Sequence, residues 1–315
     1  MTPAAGAVGA MGFGVAARDV LETGTEMGVG AAPRSAPDGG ADLALLQHTL
    51  RSLGEVVVAF SGGADSAFVA KVATDTLGAD RVLCVTAVSP SLAPEERDDC
   101  RALALEWDLR HLEVTTDELA DPAYAANDGS RCYHCKASLM DALDPVTAAA
   151  GPGATVVLGV NLDDLSDHRP GQAAAAERGA VFPLVAARFT KSDVRSWSRR
   201  LGLRTWDKPA AACLASRVPY GTRVTFTTLD SVSRAESGLR ALGFRQLRVR
   251  HYDDTARIEV PSEDLIEVVA RRDEVSAAVH AAGYRYVTVD LDGFRSGNLN
   301  QSLVTARHHT TEEAP

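Results

Sequence analysis

The sequence lacks three features that would each define a class of protein. No run of about 18 uninterrupted apolar residues occurs, which argues against a membrane-spanning helix. No cluster of lysine and arginine occurs, and 42 acidic against 32 basic side chains give a net charge of -10. Because binding to a phosphate backbone depends on clustered positive charge, nucleic acid is not an expected partner. Lysine itself is scarce, since all basic residues except Lys71, Lys136, Lys191 and Lys208 are arginines.

The cysteines indicate the compartment. Five are present, an odd number, and no basic segment followed by an apolar run marks a secretory signal at the N-terminus. We therefore expect a reducing cytoplasm, where paired cysteines more often bind metal or do chemistry than form disulfides. Cys84 lies inside a predicted strand and Cys100 on the apolar face of a predicted helix, so both are expected in the core. Cys132, Cys135 and Cys213 remain as candidate functional residues.

The chain of 315 residues, 45% hydrophobic, is long enough for one large or two ordinary domains. Strands alternate with helices from residue 42 to 218, which predicts an α/β domain with a doubly wound parallel sheet. A smaller α/β domain is predicted over 219–305, after an Ala/Gly/Pro-rich disordered extension over 1–41 and before a flexible tail over 306–315. The predicted strands are Glu55–Phe60, Arg81–Val88, His111–Thr115, Ala154–Val160, Ala180–Leu184, Gln246–His251, Arg257–Val260 and Tyr284–Val289. The predicted helices include Ser66–Leu77, Pro94–Trp107, Lys136–Leu143, Lys191–Leu201, Leu229–Leu242 and Ser262–Ala282.

A glycine loop follows the first predicted strand of the larger domain. It reads Ser61-Gly62-Gly63-Ala64-Asp65-Ser66 and opens a helix. Glycines allow the backbone to approach an anion, and a helix N-terminus supplies unpaired N–H groups. Ser61 and Ser66 could donate to phosphate oxygens, and Asp65 could hold the accompanying Mg²⁺. The alternative is an ordinary glycine turn with a Ser/Asp helix cap, but the Walker and dinucleotide patterns are both absent.

The loop resembles the PP-loop (SGGxDS) of the N-type ATP pyrophosphatases. A second stretch, the predicted strand Phe182-Pro183-Leu184 followed by Lys191 and Arg195, looks like that superfamily's second signature. The resemblance implies an adenine nucleotide alpha hydrolase-like fold and binding of ATP with Mg²⁺. It also implies that Lys191 contacts phosphate while a carbonyl or carboxylate oxygen attacks the α-phosphate and pyrophosphate leaves.

A C-x-x-C motif lies in Arg131-Cys132-Tyr133-His134-Cys135-Lys136. Two intervening residues place both sulfurs on one side of a turn, which suits zinc, an iron–sulfur cluster or redox exchange. Cys213 lies in a stretch too rich in proline and small residues for a core helix, Lys208 to Arg217.

Several further stretches resemble the LarE-type sulfur transferases, which act in biosynthesis of the nickel-pincer cofactor of lactate racemase. The resemblance covers roughly residues 50–305. The stretches are 159–164, which includes Asn161 and Asp164, together with 167–171, 206–209, 213–221, 248–250, 256–259 and 293–297.

This resemblance implies a two-stage reaction on pyridinium-3,5-dicarboxylate mononucleotide. ATP first activates a carboxylate as the acyl-adenylate, and sulfur then displaces AMP to leave a thiocarboxylate. Cys213 is implied as the sulfur centre, and two variants stay open. Either Cys213 is sacrificed to dehydroalanine, or Cys132, Cys135 and Cys213 hold a [4Fe–4S] cluster with one open iron site. The C-x-x-C matches the three-cysteine variant.

The remaining implied site residues lie near Cys213 and in the smaller domain. Ser216 and Arg217 would orient the sulfur or the adenylate. Arg248 and Arg250 alternate in a strand and would bind the substrate phosphate, unless they form a solvated strand face. Glu236 is the family's acidic position, or alternatively a salt-bridge partner on a helix surface.

Three other functions compete with this interpretation. A PP-loop tRNA thiolase would need a basic surface, which the net charge of -10 argues against. An amidotransferase-type synthetase would adenylate a carboxylate for ammonia and need no C-x-x-C. A nucleotide-binding sensor would bind ATP without releasing pyrophosphate. The family further suggests a homo-oligomer, with a nickel insertase and a carboxylase as pathway partners.

Overall fold

The computed structural model describes residues 41–165 and 170–295. Residues 1–40 of the extension predicted over 1–41, the tail over 306–315, and residues 167–169 and 296–297 of the family motifs lie outside the described residues. Ala41 is described and is buried. Within those residues no helix is long and apolar enough to cross a bilayer.

The first part of the chain forms a four-stranded parallel sheet in the order β3-β2-β1-β4. Its strands are β1 (Val56–Ala59), β2 (Val82–Val88), β3 (His111–Thr115) and β4 (Thr155–Val157). The helices are α1 (Leu43–Leu53), α2 (Ala64–Leu77), α3 (Pro94–Glu106), α4 (Pro122–Ala125), α5 (Arg131–Ala150), α6 (Pro170–Glu177), α7 (Pro183–Ala186) and α8 (Lys191–Arg200).

Helices cover both faces of this sheet because its strands carry apolar side chains on both sides. In β1, Val56 and Val58 pack with α1, α2 and α8, whereas Val57 packs with α5 on the opposite face. The expected doubly wound α/β architecture is therefore confirmed. Cys84 and Cys100 are fully buried, as the sequence predicted.

The second part of the chain forms a three-stranded sheet in the order β5-β6-β7 with its own apolar core. Its elements are α9 (Phe226–Ala241), β5 (Arg248–Tyr252), β6 (Thr255–Glu259), α10 (Leu265–Ala270), α11 (Arg272–Ala281) and β7 (Tyr286–Val289). β5 and β6 are antiparallel, and β6 and β7 are parallel. A further apolar cluster joins Leu214, Ala215 and Val218 to Leu229 and Val232 of α9. The division into domains at residues 218 and 219 stays a prediction.

Three predicted elements differ from the structure. The strand Ala180–Leu184 is a single bridge from Val181 to Val157, after which Pro183 starts α7. Proline has no N–H for a strand ladder but suits the first turn of a helix. The predicted helix Ser262–Ala282 is interrupted at Arg271, which leaves helical geometry and donates to the carbonyl of Leu242.

The third difference concerns the C-x-x-C. The predicted helix Lys136–Leu143 is the middle of α5, a 20-residue helix that contains Pro145 in its interior and begins at Arg131. Proline usually ends a helix, which explains the early predicted end at Leu143. Cys132 and Cys135 therefore lie in the first turn of a helix rather than in a turn between elements.

Candidate active site

The predicted phosphate loop lies between β1 and α2, and its glycines serve different ends. Gly62 has φ +66°, and a Cβ there would lie 2.9 Å from Cys100 Sγ, so this position requires glycine. Gly63 is the N-cap of α2 and has no side-chain cap, which leaves the first amides of the helix to an incoming anion. Ser61 Oγ lies 3.0 Å from Ser66 Oγ, so the two hydroxyls meet across the loop.

Residues from two distant motifs converge on Asp65 in this loop. Lys191 Nζ forms an ion pair with Asp65, and Asn161 Nδ2 donates to the same carboxylate at 3.2 Å. The backbone N–H of Asn161 donates to the Asp164 carboxylate at 3.1 Å. A Cβ on Gly159 would lie 2.6 Å from the Ser66 amide nitrogen, so the end of β4 approaches the start of α2 closely. The predicted residues Asp65, Asn161, Asp164 and Lys191 therefore form one group.

Lys208 connects this loop to the segment that carries Cys213. Its ammonium donates to the Gly62 carbonyl at 3.2 Å and forms ion pairs with Glu96 at 2.8 Å and Asp99 at 2.6 Å, both on α3. Five residues later, Cys213 is exposed and caps a 3₁₀ turn, Leu214–Arg217. The Leu214 amide donates to the Ser91 carbonyl at 2.9 Å, which fixes the turn against the end of β2.

The three candidate cysteines come from two segments that meet. Cys132 and Cys213 are exposed and Cys135 is half-buried. Burial is the main cause that raises the pKa of the Cys135 thiol to about 12, and the neighbouring Cys213 sulfur is the second. Arg131, at the start of α5, is buried beside them. Burial lowers the pKa of its guanidinium, but the nearby Cys213, Cys132, Tyr220 and Tyr124 side chains together raise it above its ordinary value.

Two buried ion pairs lie beside the Cys213 turn. Arg217 binds Glu236 of α9 through two hydrogen bonds of 2.8 and 3.1 Å. Arg250 of β5 binds Glu259 of β6 through two bonds of 2.9 Å and donates to the Ser216 carbonyl at 2.8 Å. Glu236 is a salt-bridge partner, as the alternative held, but it is fully buried rather than on the helix surface.

Arg248 differs from its neighbour in β5. It is also buried, so the alternative of a solvated strand face is wrong for both arginines. Its guanidinium lies 4.5 Å from the Phe294 ring centroid, and no carboxylate of the described chain lies within ion-pair distance. Burial lowers the pKa of Arg248, and the nearby guanidiniums of Arg217 and Arg250 lower it further. An anion bound here would relieve that repulsion.

Comparison with known proteins identifies the family. The sequence pattern of NAD synthase matches residues 45–136. An uncharacterized protein of Synechocystis is 46% identical over 260 residues, 82% of this chain and 96% of the relative. The pyridinium-3,5-bisthiocarboxylic acid mononucleotide synthase of Lactiplantibacillus plantarum is 40% identical over 264 residues, 84% of this chain and 95% of that enzyme. An uncharacterized protein of Methanocaldococcus jannaschii is 24% identical over 242 residues.

The chain belongs to the LarE-type family of PP-loop enzymes. As a LarE-type protein it is expected to use ATP with Mg²⁺, and the loop fits both. The open N-terminus of α2 offers amides to phosphate, while Asp65 in the first turn and Asp164 offer the oxygen ligands that Mg²⁺ prefers.

The cysteines of this LarE-type chain do not form a site for a single metal ion in the described residues. Among the described residues, no three His, Cys, Asp or Glu side chains are close enough to hold one ion. Zinc would need each sulfur about 2.3 Å from the same centre. In an iron–sulfur cluster each cysteine binds a different iron atom, so the three sulfurs stand further apart. A cluster would need three such thiols as donors, and here Cys132 and Cys213 are exposed while Cys135 is half-buried.

The sequence analysis assigned no functional role to several residues that the structure places in this site. Arg131, Lys208 and Glu259 all stand inside or beside the quoted motifs, and the scarcity of lysine marked Lys208. Asn127 and Tyr124 carried no signal. Both are buried, and Asn127 Nδ2 donates to the Pro219 and Thr222 carbonyls at 2.8 Å.

Proposed function

We propose that this protein is an ATP-dependent sulfur transferase that converts a carboxylate of pyridinium-3,5-dicarboxylate mononucleotide to a thiocarboxylate, in biosynthesis of a nickel-pincer cofactor. The observation that carries the proposal is that the phosphate loop and the segment of Cys213 are in contact. Lys208 joins the phosphate loop to the segment of Cys213, which supports placing an adenylated substrate next to the sulfur centre. The 40% identity to the named synthase supports the choice of substrate.

The first half-reaction is the adenylation. The amides of the loop, the Ser61 and Ser66 hydroxyls and Lys191 hold the β- and γ-phosphates, with Asp65 and Asp164 placed to hold Mg²⁺. A carboxylate oxygen attacks the α-phosphorus, and the bond to the bridging oxygen breaks with pyrophosphate as the leaving group. Positive charge and N–H donors placed at the leaving group stabilise the charge that develops there.

The second half-reaction is the sulfur transfer. A sulfur nucleophile attacks the acyl carbon, the C–O bond to the phosphate breaks, and AMP leaves with the electron pair. A cluster bound by Cys132, Cys135 and Cys213 would supply a sulfide at its open iron. Ser216 and Arg217 lie three and four residues after Cys213, and the Arg217 guanidinium donates to the Cys213 carbonyl at 3.2 Å, which orients the turn.

The substrate phosphate is assigned to Arg248. Arg250 and Arg217 are each neutralised by a buried carboxylate, whereas no carboxylate of residues 41–165 or 170–295 pairs with Arg248. A guanidinium without a carboxylate partner can form two parallel hydrogen bonds to a phosphate. We further place the enzyme in the cytoplasm as a homo-oligomer, between a carboxylase that makes its substrate and a nickel insertase that uses its product.

Half-reactions measured separately test this function. Anaerobically purified protein should be brown, and it should release pyrophosphate from ATP only with the pyridinium substrate. Cys213→Ala should keep pyrophosphate release and lose thiocarboxylate formation, and Cys84→Ala, which alters a core cysteine of β2, should keep both. Sulfur transfer by Cys213→Ala at the wild-type rate, or a colourless zinc protein, would contradict the proposal. A loss of about 34 Da from Cys213 after turnover, the mass of H₂S, would select the sacrificial variant.

A further inference from the structure

Arg131 is a buried cation that the two half-reactions do not use. It is the first residue of α5 and directly precedes Cys132, and its side chain is only 5% exposed. One of its terminal nitrogens, Nη1, makes both of its hydrogen bonds, to Asn127 Oδ1 and to the Ala215 carbonyl at 2.8 Å. Ala215 lies two residues after Cys213, so Arg131 links the two segments that carry the cysteines.

The rest of the Arg131 guanidinium is available to another group. Neither Nε nor Nη2 donates to any residue of 41–165 or 170–295, and the Tyr220 ring lies on the guanidinium at 5.5 Å. A guanidinium carries five N–H donors. A residue that served only to tether the Cys213 turn would need the two bonds of Nη1 and no charge.

The charge of Arg131 has no carboxylate to balance it in the described parts of the chain. No Asp or Glu oxygen of the described residues lies within ion-pair distance of Arg131. Of the other three buried arginines, Arg217 and Arg250 each bind a carboxylate through two hydrogen bonds, and Arg248 is the one assigned to the substrate phosphate. A buried cation without a counter-charge strongly destabilises a fold. Arg131 directly precedes Cys132 in α5, and its hydrogen bond to the Ala215 carbonyl holds it against the turn that begins at Cys213. The missing counter-charge therefore belongs to the sulfur centre.

We infer that Arg131 is the counter-cation of the three-cysteine centre, which positions Cys213 against α5 and requires an occupant with net negative charge. This inference rests on the proposed function in that the occupant is taken to be the [4Fe–4S] cluster. A [4Fe–4S]²⁺ core with three thiolates carries one net negative charge, and a terminal sulfide adds more. Arg131 acts on the cluster through its charge, without being a ligand.

The test is the reduction potential of the cluster in the full-length protein, with iron and sulfide content measured beside it. Arg131→Gln keeps an amide donor for Ala215 but removes the charge, and Arg131→Lys keeps the charge but loses the planar fork. A nearby positive charge stabilises the more negative, reduced cluster. We therefore expect a lower potential in Arg131→Gln at unchanged iron content, and a potential near that of wild type in Arg131→Lys. The control is Arg223→Gln. Arg223 is exposed in the loop that follows the Cys213 turn, so this substitution should leave the potential unchanged.

The possible outcomes separate this inference from the function. A wild-type protein that takes up no iron and sulfide overturns both. A loaded Arg131→Gln protein with the wild-type potential overturns the counter-cation role alone. If Arg131→Gln does not fold, Arg131→Lys decides. If Arg131 acts only by tethering the Cys213 turn, loss of the planar guanidinium should cost the protein its cluster. If Arg131 acts as a counter-cation, Arg131→Lys should retain the cluster.

Discussion

Gly62 shows how one residue fixes the phosphate loop. Its φ of +66° is costly for a residue with a side chain, and Cys100 Sγ occupies the space that a Cβ would fill. Gly62→Ala should lose about 1–2 kcal/mol of unfolding free energy from the φ alone. Because the loop must also shift away from Cys100, the KM for ATP in pyrophosphate release should rise.

Gly54 provides the control for this substitution. It also has a left-handed φ, +76°, but no heavy atom lies within 4 Å of its would-be Cβ. Gly54→Ala should therefore reproduce the loss of stability without a change in the KM for ATP. An unchanged KM in Gly62→Ala would show that the loop tolerates the displacement.

Arg248 and Arg250, two residues apart in β5, should differ in what the loss of their charge changes: stability for Arg250 and substrate affinity for Arg248. Arg250→Gln leaves the fully buried Glu259 without its bidentate partner, so about 3 kcal/mol of unfolding free energy should be lost. Arg248→Gln removes a cation that burial and neighbouring guanidiniums already disfavour, so the free energy of unfolding should not fall. The loss of a charged hydrogen bond to phosphate, about 1.5–3 kcal/mol, should raise the KM for the mononucleotide at least tenfold.

Denaturant titration and steady-state kinetics of both variants check this assignment. A lysine at position 248 keeps the charge and should recover part of the affinity, although it cannot form two parallel bonds. An unstable Arg248→Gln, or an unchanged KM for the mononucleotide, would show that Arg248 has a structural role instead.

At the scale of elements, α3 connects the phosphate loop to the Cys213 segment. Lys208 reaches α3 through Glu96 and Asp99 and the loop through the Gly62 carbonyl. Lys208→Met should lower unfolding free energy by about 1.5–3 kcal/mol, as expected for charged hydrogen bonds. It should also slow the sulfur transfer more than the adenylation, since Cys213 lies on the released segment.

Arg204→Met is the matched control for Lys208. Arg204 binds the same Asp99 and also Glu106, but it is largely exposed, so its loss should cost less than about 1 kcal/mol. Single-turnover measurements of both half-reactions would separate the two roles. Equal slowing of both steps in Lys208→Met would show that Lys208 supports the loop alone.

The elements that the sequence predicted best are those with local signals. The strand, glycine loop and helix around Ser61–Ser66 and the start of the helix at Lys191 appear as expected, because caps and periodicity depend on neighbours in sequence. The strand at Ala180–Leu184 was wrong because Pro183 favours a helix start. Lys208 binds Gly62 across 146 residues, and Arg217 binds Glu236 in another element, so only tertiary structure reveals them.

At the scale of the molecule, α3 also contacts the smaller sheet's helix α9. Glu95, in the first turn of α3, accepts from Ser237 Oγ at 2.5 Å and lies 3.3 Å from Arg240 of α9. Arg240 in turn binds Glu236, the partner of Arg217. Burial alone would raise the pKa of Glu95, but these partners lower it below its ordinary value. The contact is therefore complete above pH 4.5 and weakens as pH falls through the lowered pKa.

This contact predicts energetic coupling between ATP and mononucleotide binding. A non-hydrolysable ATP analogue should raise affinity for the mononucleotide by at least fivefold, within the usual range for coupled sites, and the mononucleotide should raise affinity for the analogue by the same factor. Glu95→Gln should reduce that factor toward one without changing the affinity for either ligand alone, because Glu95 touches neither the phosphate loop nor Arg248. Glu106→Gln changes the opposite end of α3, where Glu106 binds Arg204, and should leave the coupling intact. Calorimetric titrations with the ATP analogue added before the mononucleotide, and in the reverse order, measure the coupling factor. A factor that is equal in Glu95→Gln and wild type would mean that the two sites communicate through the Lys208 segment rather than through α3 and α9.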